Sequence, residues 1–211
     1  MISARLGMYP FSQRRPGGPG AETREGPPTI VVGDPARGES LHSTGGRGCR
    51  QTYRPPRLSV RGGGHSGPGF GTNDGGVVID MSEMRTVHVD PTTKTARADA
   101  GATWGDFNYA THAFGLATTG GIISTTGTSV LTLGGGIGYL DRALGLTIDN
   151  LVSADVVTAD GRFLSASERE NEDLFWGLRG GGGNFGVVTS FEYRLSEVEQ
   201  VFAGPIFYNL D

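Results

Sequence analysis

Arg61-Gly62-Gly63-Gly64-His65-Ser66 is the stretch that decides how this chain folds. It follows a strand-like run, Leu58-Ser59-Val60, and offers consecutive backbone N–H groups with almost no side chains in the way. Glycine reaches positive φ without strain and lets another group approach the main chain closely. Successive N–H groups in such a turn form a concave anion site, suited to a pyrophosphate. His65 adds a nucleophile at the end of the turn. Two more glycine blocks follow, Leu133-Gly134-Gly135-Gly136-Ile137-Gly138 and Arg179-Gly180-Gly181-Gly182-Gly183-Asn184-Phe185-Gly186. The three turns together predict a cradle that converges on a long, flat, phosphorylated cofactor.

Working outward, glycine supplies 37 of the 211 residues, more than twice its usual share of ~7%. The glycines sit in short clusters between apolar segments such as Val77-Val78-Ile79 and Val152–Val157, so most of the chain can still pack. The length predicts one domain with room for part of another. The net charge of −4 is uneven: residues 1–55 carry +4 and residues 56–211 carry −8. An acidic main domain argues against nonspecific nucleic-acid binding, which needs a cationic surface. Cys49 is the sole cysteine, which excludes an intrachain disulfide and a CxxC site. His42, His88 and His112 are scattered without ligand spacing, so no metal site is expected. No apolar run approaches the ~20 residues of a membrane span. Arg14-Arg15 is not followed by an apolar export segment, so a cytoplasmic location without membrane partners is the expectation.

Residues 1–55 are dominated by Gly, Pro, Arg and Ser, and only Thr29-Ile30-Val31-Val32 could form a strand. This segment reads as irregular, either disordered or out of frame. From Pro56 the texture changes. Strands are expected at Leu58–Arg61 and Val77–Met81, and a hairpin at Thr86–Val89 and Thr95–Ala100 around Asp90-Pro91-Thr92-Thr93. Thr103 as N-cap with Asp106 at N3 starts a helix toward Phe114, and Gly115 stops it. Leu116–Gly138 shows no clear period. Asp141–Leu144 makes one helical turn, and Leu151–Thr158 turns through Asp160-Gly161 into Arg162–Ser165. A helix over Glu170–Leu178 and a strand over Val187–Leu195 follow. Trp104 and Trp176 are expected in the core, and Asp149-Asn150 is expected to order the loop before its strand.

G-x-G-x-x-G occurs at Gly62–Gly67 and Gly181–Gly186, but a dinucleotide fingerprint needs strand, turn, then helix. The first copy runs into Pro68-Gly69-Phe70, and the second stands between helix and strand in the wrong order. Neither supports that reading. His65 itself has two readings, a loop histidine satisfied locally or a cofactor contact.

Taken in order, seven motifs resemble the PCMH-type FAD-binding domain shared by vanillyl-alcohol oxidase and berberine bridge enzyme-like oxidases. They are VRGGGHS (Val60–Ser66), GGVVIDMS (Gly75–Ser82), AGATWGDF (Ala100–Phe107), GLATTGG (Gly115–Gly121), LGGGIGYL (Leu133–Leu140), DNLVSADVVTADG (Asp149–Gly161) and DLFWGLRGGGGNFGVVTSF (Asp173–Phe191). The match is nearest to the bacterial berberine bridge enzyme-like group. The resemblance implies an α+β fold of two α/β subdomains with FAD between them. It implies that Gly62, Gly63, Gly64, His65 and Ser66 wrap the FAD pyrophosphate, and that His65 matches the histidine bonded covalently to the flavin 8α methyl in many members. A second, cysteinyl link falls at Ile123 and is excluded. Gly121, Ser124, Thr125 and Gly127 match the segment beside the flavin ring and ribityl chain. Gly134, Gly135, Gly136 and Gly138 match a second loop, and Asn184, Gly186 and Val188 the adenine end. Such enzymes oxidise alcohols, sugars or related small molecules by hydride transfer to flavin N5, and many pass electrons to O₂.

Three departures qualify the match. Residues 1–55 lack the strand–helix unit that precedes the loop in the family, which motivates the reading of an out-of-frame start. Translation of the upstream DNA in the other frames tests it. Residues 56–198 then form the FAD-binding domain, and residues 199–211 begin a substrate domain that breaks off, so no catalytic residue is assigned. Val130 stands where relatives carry a small residue, and its branched side chain is expected to crowd the loop over the cofactor. Two further readings stay open: a catalytically silent flavin-binding remnant, and a glycine-rich interaction domain without cofactor.

Overall fold

Three strands, β1 (Val31–Gly33), β2 (Leu58–Arg61) and β3 (Val77–Asp80), form a small sheet in the order β1-β3-β2. They belong to a computed structural model that describes residues 31–33, 57–198 and 208. β2 and β3 pair in parallel from Leu58↔Val77 to Arg61↔Asp80, and β1 pairs antiparallel with β3. A parallel pair needs a long crossover. Here the crossover begins with the Gly62–Ser66 turn, so the topology places that turn at the carboxyl end of β2.

The chain continues through β4 (Val87–Asp90), β5 (Thr95–Asp99), α1 (Trp104–His112), β6 (Leu116–Ala117), α2 (Thr128–Leu133) and α3 (Asp141–Leu144). It then runs through β7 (Leu151–Val157), β8 (Phe163–Ser167), α4 (Glu172–Gly181), β9 (Val187–Arg194) and β10 (Ser196–Glu197). Five of these strands build an antiparallel sheet in the order β4-β5-β9-β7-β8, and β10 pairs with β6. The architecture is α+β, as the motifs predict.

Strand alternation sorts the large sheet into two faces. Ala96, Ala98, Ala154, Val156, Phe191 and Tyr193 are buried on the inner face. On the other face Arg97 pairs with Asp155 and donates to Ser190 Oγ at 2.6 Å, and Ser153 Oγ donates to Glu192 at 2.7 Å. α1 lays Trp104 and Phe107 on the inner face, with their rings 5.9 and 5.2 Å from that of Tyr193. These three rings are fully buried and anchor the core.

The helix start at Thr103 is a capping box. The Asp106 amide donates to Thr103 Oγ1 at 3.3 Å, and the Thr103 amide donates to Asp106 Oδ2 at 2.8 Å. Arg85 donates to both Asp106 oxygens from outside. Burial pulls the Asp106 carboxyl upward, but the Thr103 and Arg85 hydrogen bonds and the guanidinium charge outweigh it and hold it below the usual aspartate value.

Two expectations fail. Leu116–Gly138, read as lacking a period, contains the short helix α2. Trp176, expected in the core, is 79% exposed, because α4 turns Phe175 and Leu178 inward and Trp176 away. Asp149 and Asn150 do order their loop. The Leu146 amide donates to Asp149 Oδ2 at 2.9 Å, and Asn150 Nδ2 donates to the Leu144 and Leu146 carbonyls at 3.0 and 2.9 Å. Residues 1–30, 34–56, 199–207 and 209–211 lie outside the described residues, and most of the irregular segment and of the expected substrate-domain start falls there.

Candidate functional site

The site is built where the segments around Ala100–Gly105 and Ser124–Ser129 zip together. The Trp104 and Gly105 amides, which α1 leaves without helical partners, donate to the Thr126 and Ser124 carbonyls at 2.9 and 2.8 Å. The Thr128 amide and hydroxyl donate to the Ala102 carbonyl at 2.9 and 3.2 Å, and Ser129 Oγ donates to the Ala100 carbonyl. The Ser124-Thr125-Thr126 turn and α2 are thereby fixed to the start of α1.

The first glycine turn is pressed onto this assembly. A Cβ on Gly63 would stand 2.4 Å from both Cα and N of Gly127, and one on Gly127 would stand 2.5 Å from Gly63 N. Two backbones meet there with no space for a side chain. Gly64 takes φ +72°, which favours glycine. Arg61 anchors the turn by donating to Asp80 Oδ2 at 2.8 Å. Burial raises the Asp80 carboxyl, yet hydrogen bonds from the Ser82 amide and side chain, with Arg61, more than offset it and hold the group below the ordinary aspartate range.

Between Arg61–Ser66 and Thr126–Leu131 lies a cavity of about 210 Å³. Among the described residues, none of the five amides from Gly62 to Ser66 donates to a protein acceptor. His65 lines the cavity, and its Nε2 lies 3.1 Å from Thr125 Oγ1. Val130 is 59% exposed and lines the same cavity. Ile123, at the position of the excluded cysteine, is also exposed.

The second glycine loop is a neighbour of this cavity, not one of its walls. Gly136 and Gly121 both lie against Leu131, which does line it, and Gly138 packs on the Gly120 carbonyl. Its amides differ from those of the first turn. Gly134, Gly135 and Gly138 donate to Val130, Thr132 and the Asp141 carboxylate at 3.1, 3.0 and 2.8 Å. Among the described residues two buried polar atoms nearby lack hydrogen-bond partners, Trp104 Nε1 beside Gly121 and Thr147 Oγ1 beside Gly136. Such orphans are normally met by water or by a ligand atom.

The third glycine stretch packs against α2 and is not among the residues that line the cavity. Gly177 and Gly181 accommodate the Phe185 ring, Asn184 Nδ2 donates to the Gly181 carbonyl at 2.7 Å, and Gly186 approaches the Val157 carbonyl as the chain turns into β9. The Val188 side chain is buried in the core, so only its main chain could meet a ligand. The expected convergence of three turns is therefore partial: the first turn and the Thr126–Leu131 segment meet, the second loop adjoins them, and the third does not reach the cavity. Thr126 and Leu131 were missed in the sequence. They carry no motif of their own, and only the zipped backbone brings them to the site.

A glycine-walled cavity lies between a parallel strand pair and a helix on an antiparallel sheet, and the solved structures that this fold resembles are FAD oxidases of the PCMH type. The family model described as "FAD binding domain" matches residues 49–167, and the chain belongs to that family, with FAD as its cofactor. The chain is 48% identical over 136 residues to FAD-linked oxidoreductase pgmH of Aspergillus terreus, a stretch covering 64% of this chain and 28% of that protein. Its structure resembles 6-hydroxy-D-nicotine oxidase of Arthrobacter nicotinovorans, with TM-score 0.66 and 42% identity over 67% of this chain and 31% of that one. It also resembles glucooligosaccharide oxidase of Acremonium strictum, a protein with 6-S-cysteinyl, 8α-N1-histidyl FAD, with TM-score 0.60 and 38% identity over 67% of this chain and 30% of that one. The chain spans less than a third of the length of each of these proteins. Among the described residues, no group of His, Cys, Asp and Glu is placed to hold a metal ion, and no helix is long and apolar enough to cross a membrane.

Proposed function

We propose that this chain is the FAD-binding portion of a flavin-dependent oxidoreductase that oxidises an alcohol, sugar or similar small molecule, with dioxygen as acceptor. The bound flavin supplies a hydride acceptor at N5, and the protein supplies binding and orientation. The observation that carries this reading is the row of five amides from Gly62 to Ser66, on residues that line the cavity, none of which donates to a protein acceptor among the described residues. A diphosphate is the cofactor group that such a row fits. The Gly63–Gly127 contact keeps side chains out of its path, and Arg61 adds positive charge at the cavity wall.

In this reading Gly62, Gly63, Gly64 and Ser66 hold the diphosphate through the main chain. Gly121, Ser124, Thr125 and Gly127 line the route of the ring and ribityl chain. Gly134, Gly135, Gly136 and Gly138 shape the adjoining wall, with the Gly136 amide the one of the four that donates to no protein acceptor among the described residues. Asn184, Gly186 and Val188 serve the adenine end through the main chain and the Asn184 amide. His65 forms the covalent link to the 8α carbon, as the histidyl FAD of the glucooligosaccharide oxidase suggests. Val130 narrows the cavity opposite the turn.

Purification of the chain tests the reading. Flavin colour that survives acid precipitation supports a covalent link at His65, and colour released on precipitation supports reversible binding. A chain that neither carries flavin nor quenches the fluorescence of added FAD refutes the proposal. Oxygen consumption with candidate alcohols and sugars then separates an oxidase from a silent flavin-binding domain.

A further inference from the structure

Thr125 stands next to Thr126, which lines the cavity, and its hydroxyl lies 3.1 Å from Nε2 of the His65 imidazole. Among the described residues Nδ1 has no hydrogen-bond partner, so Thr125 is the one polar side chain that holds the ring. Thr125 is itself held. The Thr126 amide donates to the Ile123 carbonyl at 3.0 Å, closing the turn, and the carbonyls of Ser124 and Thr126 are tied to the start of α1. The hydroxyl is therefore presented from a fixed backbone, while the imidazole sits on the glycine turn.

We propose that Thr125 is the positioning residue for covalent attachment of flavin at His65, holding Nε2 and leaving Nδ1 as the nitrogen that forms the bond. The inference rests on the flavin reading of the site. A neutral imidazole has one N–H and one lone pair, and the hydrogen bond made by one nitrogen sets the role of the other. In the tautomer whose Nε2–H donates to Thr125 Oγ1, the lone pair resides on Nδ1. Attachment makes an Nδ1–C8α bond and breaks one C–H bond of the 8α methyl. The imidazole, alkylated on Nδ1, gives up its Nε2 proton to solvent, and the proton of the broken C–H bond leaves to solvent as well. The two electrons of the broken C–H bond reduce the ring system, and dioxygen takes them to give hydrogen peroxide. Rotation of an untethered imidazole would offer either nitrogen, so loss of the hydroxyl costs both rate and choice of nitrogen.

The full chain, prepared without flavin and mixed with FAD in air, provides the test. Acid-stable flavin is followed with time by mass spectrometry of the peptide containing His65, and the linked nitrogen is read by ¹⁵N NMR of that peptide. The wild-type chain is expected to link through Nδ1 alone. Thr125→Val is expected to slow incorporation about tenfold, the rate equivalent of one hydrogen bond, and to give a mixture of Nδ1 and Nε2 adducts. Thr125→Ser is expected to restore the wild-type rate and the single adduct. Incorporation by Thr125→Val at the wild-type rate through Nδ1 alone overturns the proposal, as does a Thr125→Ser variant that behaves like Thr125→Val. A wild-type chain that binds FAD reversibly and forms no adduct overturns this inference and leaves the flavin site standing. A wild-type chain that does not bind FAD at all overturns both.

Discussion

Gly63 has no room for a side chain: a Cβ there would sit 2.4 Å from the Gly127 backbone, and two main chains cannot yield as a flexible side chain can. Gly63→Ala is therefore expected to push the turn off α2. The cost should be about 1–3 kcal/mol of stability, the usual range for overpacking, with loss of FAD affinity; thermal melts and FAD titration measure both. Asp80 beside it gives a pH dependence. Its folded carboxyl titrates below the ordinary aspartate value, so its stabilising contribution is complete above that value and disappears as the pH falls through the lower folded one. The stability of Asp80→Asn in denaturant melts at successive pH values should depend less on pH below about 4 than that of the wild type, and equal slopes would show that the Ser82 and Arg61 hydrogen bonds contribute nothing. The glycine turn and His65 were legible in the sequence because glycine runs and a terminal histidine are local signals. The Thr125 contact to His65 was not, because it joins residues sixty positions apart.

At the scale of elements, α2 connects the site to the core. Its Thr132 Oγ1 donates to the Thr128 carbonyl at 2.7 Å and also lies 2.7 Å from the Tyr193 hydroxyl. Burial pushes the Tyr193 phenol far above its ordinary pKa, an effect that hydrogen bonds to Thr132 and Thr128 only partly oppose, so it stays neutral. Tyr193→Phe keeps the packing and removes one hydrogen bond, so a loss of about 1 kcal/mol is expected in a denaturant melt; no change would mean that the hydroxyl pair is neutral to stability. Thr103→Ala removes the hydroxyl half of the α1 cap at a similar cost of about 1 kcal/mol, read the same way. The α1 cap was legible because Thr103 and Asp106 stand at the required spacing. α2 was not, because Thr128, Val130 and Thr132 are β-branched and favour strands. Its helix is imposed by tertiary packing, which outweighs propensity in so short a segment. Trp176 was misplaced for a different reason. Phe175 and Leu178 are three apart and share a face of α4, whereas Trp176 falls between them in sequence and around the helix from them, as the helical spacing already implies.

For the whole molecule, motif order conveyed the α+β class and the sequence of strands, since each motif is a strand end, a cap or a turn. It did not convey which turns meet. Chain order says nothing of depth, and the third glycine stretch packs at the α4–β9 junction and against α2. A site made from the first turn and Thr126–Leu131 couples the small sheet to α2, and through α2 and Tyr193 to the large sheet. Ligand binding should therefore stabilise the described domain as one unit. In a His65→Ala chain, where binding is reversible, FAD at about a hundred times its Kd should add about 2.7 kcal/mol, or roughly 5–11 °C in melting temperature for a domain of 150 to 250 residues. Scanning calorimetry should show one transition moving upward as a whole, because a ligand spanning both parts stabilises only the state in which they are joined. A melt that splits into a shifted and an unshifted transition would show that FAD grips one part alone. Combining Gly63→Ala with His65→Ala should abolish the shift, since the turn proposed to hold the diphosphate is then pushed off Gly127.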